Sequence, residues 1–228
     1  MADIPISIDA GTSKRLLTEG KYCDKNILVT ATGGSGGDQT LTDSIVDRSI
    51  TEITSDVVTV GMNALSNCTK LTKANFPKAT RIESTALRTC TSLTDIQLPL
   101  AEKILNSALT GCFSLKEVIL QKTILLQAQV FQQCVNLSKV DMYAIETIDV
   151  NVFSGCSKLE TVIIRTESVC TLGNINSFVS TPIASGTGYI YAPKPLVEAY
   201  KQATNWTTYA DQIRAIEDYP EITGGAQV

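Results

Sequence analysis

The chain has 228 residues, with 19 Lys and Arg against 23 Asp and Glu, a formal charge of −4, and 43% hydrophobic residues. That balance fits a globular chain and supplies no basic footprint for nucleic acid. With no histidine at all, Ser-His-Asp and Cys-His nucleophile systems, His-ligated zinc and imidazole acid–base chemistry are excluded.

Met1 to Asp9 hold neither the basic start nor the apolar core of a secretory signal, and no stretch approaches the roughly 18 apolar residues of a membrane span. Synthesis and folding inside a cell, without membrane insertion or export by the usual route, are therefore expected. Residues 1–32 read as a β-rich module: Ile4, Ile6 and Ile8 alternate with Pro5 and Ser7, Asn26 to Thr32 is rich in β-formers, and Gly11 and Gly20 mark turns. Residues 33–38 hold Gly33, Gly34, Ser35, Gly36 and Gly37 and read as a flexible linker. As a phosphate loop they would need a following Lys-Ser/Thr and a βαβ context, and both are missing.

Residues 39–184 are dominated by one interval. Cys68, Cys90, Cys112, Cys134 and Cys156 follow each other at 22 residues (90 − 68 = 22). Three before each stands Leu65, Leu87, Leu109, Phe131 or Phe153; three after stands Leu71, Leu93, Leu115, Leu137 or Leu159. Apolar residues recur six after (Ala74, Ile96, Val118, Val140, Val162) and eight after (Phe76, Leu98, Leu120, Met142, Ile164). A period of this length with L-x-x-L-x-L spacing predicts a leucine-rich solenoid. The alternation six and eight after predicts one short parallel strand per coil, and stacking at about 4.8 Å turns each apolar position into a buried column.

The Ala-Leu-x-x-Cys or Val-Phe-x-x-Cys half-turn predicts a short helical or 3₁₀ turn. A second edge is expected at Ile82, Ile104, Leu126 and Ile148, then at Cys170, where the pattern begins to fail. Ile50, Ile53, Val58 and Val60 form an atypical first coil at a register of 21 (71 − 50 = 21). Six strands result, five good and one degenerate, spanning roughly 24 Å.

In-register columns hold neighbouring Cβ atoms about 4.8 Å apart, beyond the separation a disulfide requires, and a line of thiols does not converge on a tetrahedral metal. Cys68, Cys90, Cys112, Cys134 and Cys156 are read as a structural core column of reduced thiols, with no metal and no cofactor. Cys23 lies outside the repeat and is the thiol expected to be least inert.

Residues 185–228 read as a C-terminal cap. Gly186 to Pro193 give a turn and a last strand, and Leu196, Val197, Tyr200, Lys201 and Ala203 an amphipathic helix starting near Pro195. Trp206 reads either as part of the cap or as a ligand platform.

The outward strand positions are five after each cysteine (Lys73, Asp95, Glu117, Lys139, Thr161) and seven after (Asn75, Gln97, Ile119, Asp141, Ile163), with Gln121, Tyr143 and Arg165 beside them. Binding is expected on this surface. Ile119, Gln121, Tyr143, Ile163 and Arg165 are the candidate contact residues, since aliphatic, aromatic and Arg groups anchor interfaces better than Lys or Asp. A merely solvated face or an intersubunit contact is the alternative. The carboxylates Asp95, Glu117 and Asp141 fall on neighbouring coils but read as scattered solvated charges, and no catalytic residue is assigned.

The F-x-x-C-x-x-L frame with Ile96, Leu98 and Pro99 resembles the BspA-type leucine-rich repeats of bacterial and phage surface proteins. Tyr189 to Tyr219 resembles the terminal cap of such arrays, and Ala10 to Gly34 is similar to short modules of phage structural proteins. The lost proline at Gln121, Tyr143 and Arg165, against Pro77 and Pro99, departs from that pattern. The resemblance implies a non-enzymatic α/β repeat protein of adhesion and of protein or glycan contact. It implies a virion component assembled in the host cytoplasm, docked through residues 1–32 to other virion proteins and present in several copies. A bacterial cell-surface adhesin, a capsid decoration or head fibre, and an intracellular scaffold are the alternatives.

Overall fold

The computed structural model describes residues 7–9, 27–32, 40–42 and 48–223; Cys23 and the glycine-rich segment 33–38 lie outside the described residues. Coils of parallel strands stack along one axis, and the period sets the register. Val118 pairs with Val140, Val140 with Val162, and Val162 with Ile190. The broad face continues past the repeats, through Tyr189–Ala192 to Ile213–Ala215. At the other end Ile27–Thr32 lies parallel to Glu52–Ser55, with Ile27 opposite Ile53.

Each coil carries a second strand that its apolar spacing alone did not specify. Thr40–Leu41, Thr59–Val60, Arg81–Ile82, Lys103–Ile104, Leu125–Leu126, Thr147–Ile148 and Thr171–Leu172 form a seven-stranded parallel sheet. One buried residue from each strand, Leu41 through Leu172, makes its apolar column. The expected failure at Cys170 is a shift instead: Ile148 pairs with Leu172, a step of 24 (172 − 148 = 24), so two extra residues are looped out and the column persists.

The cysteine-bearing half-turn keeps isolated 3₁₀-type bonds, such as Cys90 N–H to Leu87 O at 3.3 Å, without forming a continuous helix. Five and one residues before each cysteine the backbone is left-handed, at Asn63 and Asn67, Thr85 and Thr89, Ser107 and Gly111, Gln129 and Gln133, Asn151 and Gly155. These reversals aim amide groups at the next coil, as when Leu87 N–H donates to Ala108 O at 2.8 Å and Thr89 N–H to Thr110 O at 2.8 Å. Donors spent between coils are not available for a helix. Thr89 is β-branched and sits at φ 57°, where such residues are strained. Thr89→Asn is expected to stabilise the fold by about 0.5–1 kcal/mol, because Asn tolerates that conformation. An unchanged or lower urea midpoint would refute the strain argument.

The five column thiols are fully buried. From Cys90 onward each Sγ donates to a carbonyl of the preceding coil: Cys90 to Leu65 at 3.1 Å, Cys112 to Leu87 at 3.3 Å, Cys134 to Leu109 at 3.3 Å and Cys156 to Phe131 at 3.0 Å. At the head of the column Arg48 donates to Ser66 O and, at 3.8 Å, to Cys68 Sγ.

Burial pushes the Cys90 and Cys134 thiols up to about 12 from an ordinary 9.0. Unfolded thiols ionise near 9.0 while the folded ones keep their protons, so this contribution to stability is complete below that pH and declines as pH rises toward 12. A thiol reagent at pH 8 is therefore expected to modify the column cysteines and Cys170 only after denaturation. Mapped labelling of any of them in the native state would contradict the packing.

The leucine column changes to rings at its C-terminal end. Phe131 stacks on Phe153 at 5.7 Å and Phe153 on Phe178 at 5.4 Å, and Phe178 then meets Trp206 at 6.2 Å and Tyr209 edge-on at 5.2 Å. Trp206 is fully buried and donates Nε1–H to Cys170 O at 2.8 Å. It closes the core, and the ligand-platform reading has no exposed ring to stand on.

Candidate functional site

The outward columns of the broad face are not uniform along the axis. Thr94 N–H donates to Thr72 O at 2.9 Å, Ser138 N–H to Lys116 O at 2.8 Å and Glu160 N–H to Ser138 O at 3.1 Å. The ladder is interrupted once among the described residues: Asp95–Gln97 ends one five-stranded sheet and Glu117–Leu120 begins the next. The same two coils stay joined through Lys103 and Leu125 on the second edge and through Leu87 N–H and Ala108 O on the turn side. They are parted on one side of three.

A groove of about 470 Å³ lies at this parting, bounded by Asp95, Gln97 and Pro99 on one coil and by Lys116, Glu117, Ile119 and Gln121 on the other. The strand ladder is interrupted here and the exposed Ile119 lies beside the gap, a combination of unspent strand edge and apolar anchor that suits a macromolecular contact. Ile119 is 45% exposed. Gln121 lines the same groove.

The other three candidate contact residues have a different environment. Ile163 was expected in solvent and is 1% exposed; Asp141, assigned to the same outward column, is 2% exposed. Ile163 is covered because residues 216–223 turn back over the strand face, placing Ile216, Ile222 and Tyr219 against Ile163 and Tyr191, and Asp141 is engaged by Arg165.

Arg165 forms a fork to Asp141, Nε to Oδ1 at 2.8 Å and Nη2 to Oδ2 at 3.0 Å, and Nη2 also donates to Ile222 O at 2.8 Å. The Asp141 hydrogen bond raises the Arg165 pKa, so the guanidinium stays charged. Tyr143 is half-buried, its ring 5.2 Å from the Arg165 guanidinium carbon. The structure thus gathers Ile119 and Gln121 at the open groove, and places Ile163 and Arg165 against residues 216–223, with Tyr143 beside Arg165. The pairing of Asp141 with Arg165, which lies 24 residues further on (165 − 141 = 24), was hidden because each was read as a surface charge.

Among the described residues no group of three or more His, Cys, Asp or Glu is placed to hold a metal ion, and no helix is long and apolar enough to cross a membrane.

A family model described as BspA type leucine rich repeat region matches residues 58–184 in six copies. No curated protein matches the chain. Among solved structures it is similar to a leucine rich repeat protein of T. pallidum, at 21% identity and a TM-score of 0.57, over 68% of this chain and 76% of that one. A leucine-rich repeat protein from Bacteroides ovatus aligns at 22% identity and a TM-score of 0.39, over 61% of this chain and 48% of the other. A leucine rich cell surface protein from Faecalibacterium prausnitzii aligns at 20% identity and a TM-score of 0.35, over 72% and 44%.

Proposed function

The chain belongs to the BspA-type leucine-rich repeat family, and from that premise we propose that it is a non-enzymatic contact protein of a phage particle. Its strand face attaches to a bacterial surface protein or glycan, or to another virion protein. The observation that carries the contact role is the opened strand face, where Ile119 and Gln121 border unpaired strand edges. What supports the particle is the similarity of Ala10 to Gly34 to modules of phage structural proteins, with residues 1–32 as the docking element. Several copies on one particle turn weak single contacts into a lasting attachment through avidity.

Antibody-gold labelling of particles and cells from a producing culture tests this reading. Label at the tail tip supports receptor attachment, and label on the head makes the chain a decoration or head fibre. Label on cells alone replaces the particle with an adhesin, and label on neither leaves an intracellular scaffold. Ile119→Asp should lower capture of its partner at least about tenfold without moving the melting temperature, as loss of a central apolar anchor does. Unchanged capture would remove the groove from the contact.

A further inference from the structure

The segment that covers Ile163 is built as a separable unit. Ile163, Tyr191, Ile216 and Ile222 form a small apolar cluster apart from the main core, with Tyr219 packed on it and its ring 5.1 Å from that of Tyr191. The segment's backbone closes on itself: Tyr219 N–H donates to Ile216 O at 3.1 Å, Ile222 N–H to Tyr219 O at 2.9 Å and Thr223 N–H to Tyr219 O at 3.2 Å. Arg165 ties it to the strand face through Ile222 O. Lys194 holds its flank, N–H to Glu217 Oε2 at 2.8 Å and Nζ to Asp218 Oδ1 at 2.9 Å. The second of these is an exposed pair of the kind that adds little. Lifting the segment leaves the cysteine, leucine and phenylalanine columns untouched.

The seat under it belongs to the same outward column as the open groove, because Ile119 pairs with Asp141 and Asp141 with Ile163. Asp141 holds the Arg165 guanidinium through two hydrogen bonds separate from the one to Ile222 O, which aims a donor at a main-chain carbonyl. The present occupant also shows what fits: two short turns, Ile216–Asp218 and Pro220–Thr223, joined at an extended Tyr219, bring Ile216, Tyr219 and Ile222 to one apolar seat.

We propose that residues 216–223 form a releasable strap, and that their seat takes a short segment of a protein partner that turns twice about an extended residue and carries apolar side chains at the spacing of Ile216, Tyr219 and Ile222. The inference rests on reading the strand face as the contact surface. The strap keeps the part of that face around Ile163, Arg165 and Tyr191 occupied until a competing segment displaces it.

The test uses the full chain, its Ile222→Asp variant, and a fluorescent peptide with the sequence of residues 214–223. In the parent chain the amides of Tyr219, Ile222 and Thr223 should exchange at least about tenfold faster than those of Thr161–Ile164, as local opening requires. Ile222→Asp should keep the parent's melting temperature within a few degrees, and should bind the peptide at least about tenfold more tightly than the parent, whose seat is filled. Three results overturn the proposal: strap amides that exchange only together with Thr161–Ile164, an Ile222→Asp chain that does not fold, and a folded variant that does not bind the peptide. The probe is the chain's own sequence, so a positive result together with gold label on neither particle nor cell would reject the attachment role and keep the strap.

Discussion

Cys112→Asp is expected to yield no soluble folded protein. Cys112 is fully buried at the middle of its column, its Sγ bonded to Leu87 O and the carbonyl of Leu109 in its own coil occupied by Cys134. Burial already pushes the Cys112 thiol well above its usual range, so the site opposes even a thiolate. A carboxylate placed there has no cation to meet, and the several kcal/mol that an unpaired buried charge costs is most of the roughly 5–15 kcal/mol that holds such a domain folded. Cys112→Ala removes a weak donor and one heavy atom, and should cost about 1–2 kcal/mol. Circular-dichroism melting of both variants checks the pair. A Cys112→Asp chain that melts like the parent would show that the thiol column is not closed to water.

Trp206→Ala should be the most damaging single truncation outside the coils, costing about 3–5 kcal/mol. The indole is fully buried, meets Tyr200 edge-on at 5.2 Å, ends the ring series of Phe131, Phe153 and Phe178, and satisfies Cys170 O. Its loss uncovers the end of a stack that is apolar through its whole length, so concentration-dependent aggregation should accompany the lower urea midpoint. Trp206→Phe restores the ring and leaves Cys170 O without its donor, so it should fall between the two. Equal stability of all three chains would mean that the core ends before Trp206.

The columns could be read from the sequence because a coil repeats one chemical environment, so Leu71, Leu93 and Leu115 report the same position three times. What could not be read is what breaks the repetition. Ile163 has the outward spacing of Ile119, yet it is buried, because Ile216 and Ile222 arrive from more than fifty residues downstream (216 − 163 = 53) and no local pattern records them. Leu172 was missed in favour of Cys170 because a two-residue insertion preserves the column by looping out, whereas counting residues assumes that none are added. The half-turn at Leu87 to Cys90 reads as a short helical or 3₁₀ turn and does carry a Cys90 N–H to Leu87 O bond, but the left-handed residues such as Thr89 that keep it from continuing have no fixed sequence mark short of glycine. The parting between Asp95–Gln97 and Glu117–Leu120 leaves no trace either, since Thr94 and Lys116 are ordinary residues for that column.

That parting also gives the molecule a mechanical character. A rod of identical coils resists bending equally everywhere, but here one joint is fastened on the second edge and the turn side and unfastened on the strand face. Such a joint acts like the spine of a book. Under a load applied between the two ends, as when an anchored protein is pulled by what it holds, the coils on either side would swing about that spine before any continuous ladder sheared. The two halves would separate as blocks, and the first yield in a force-extension trace would fall between residues 97 and 117.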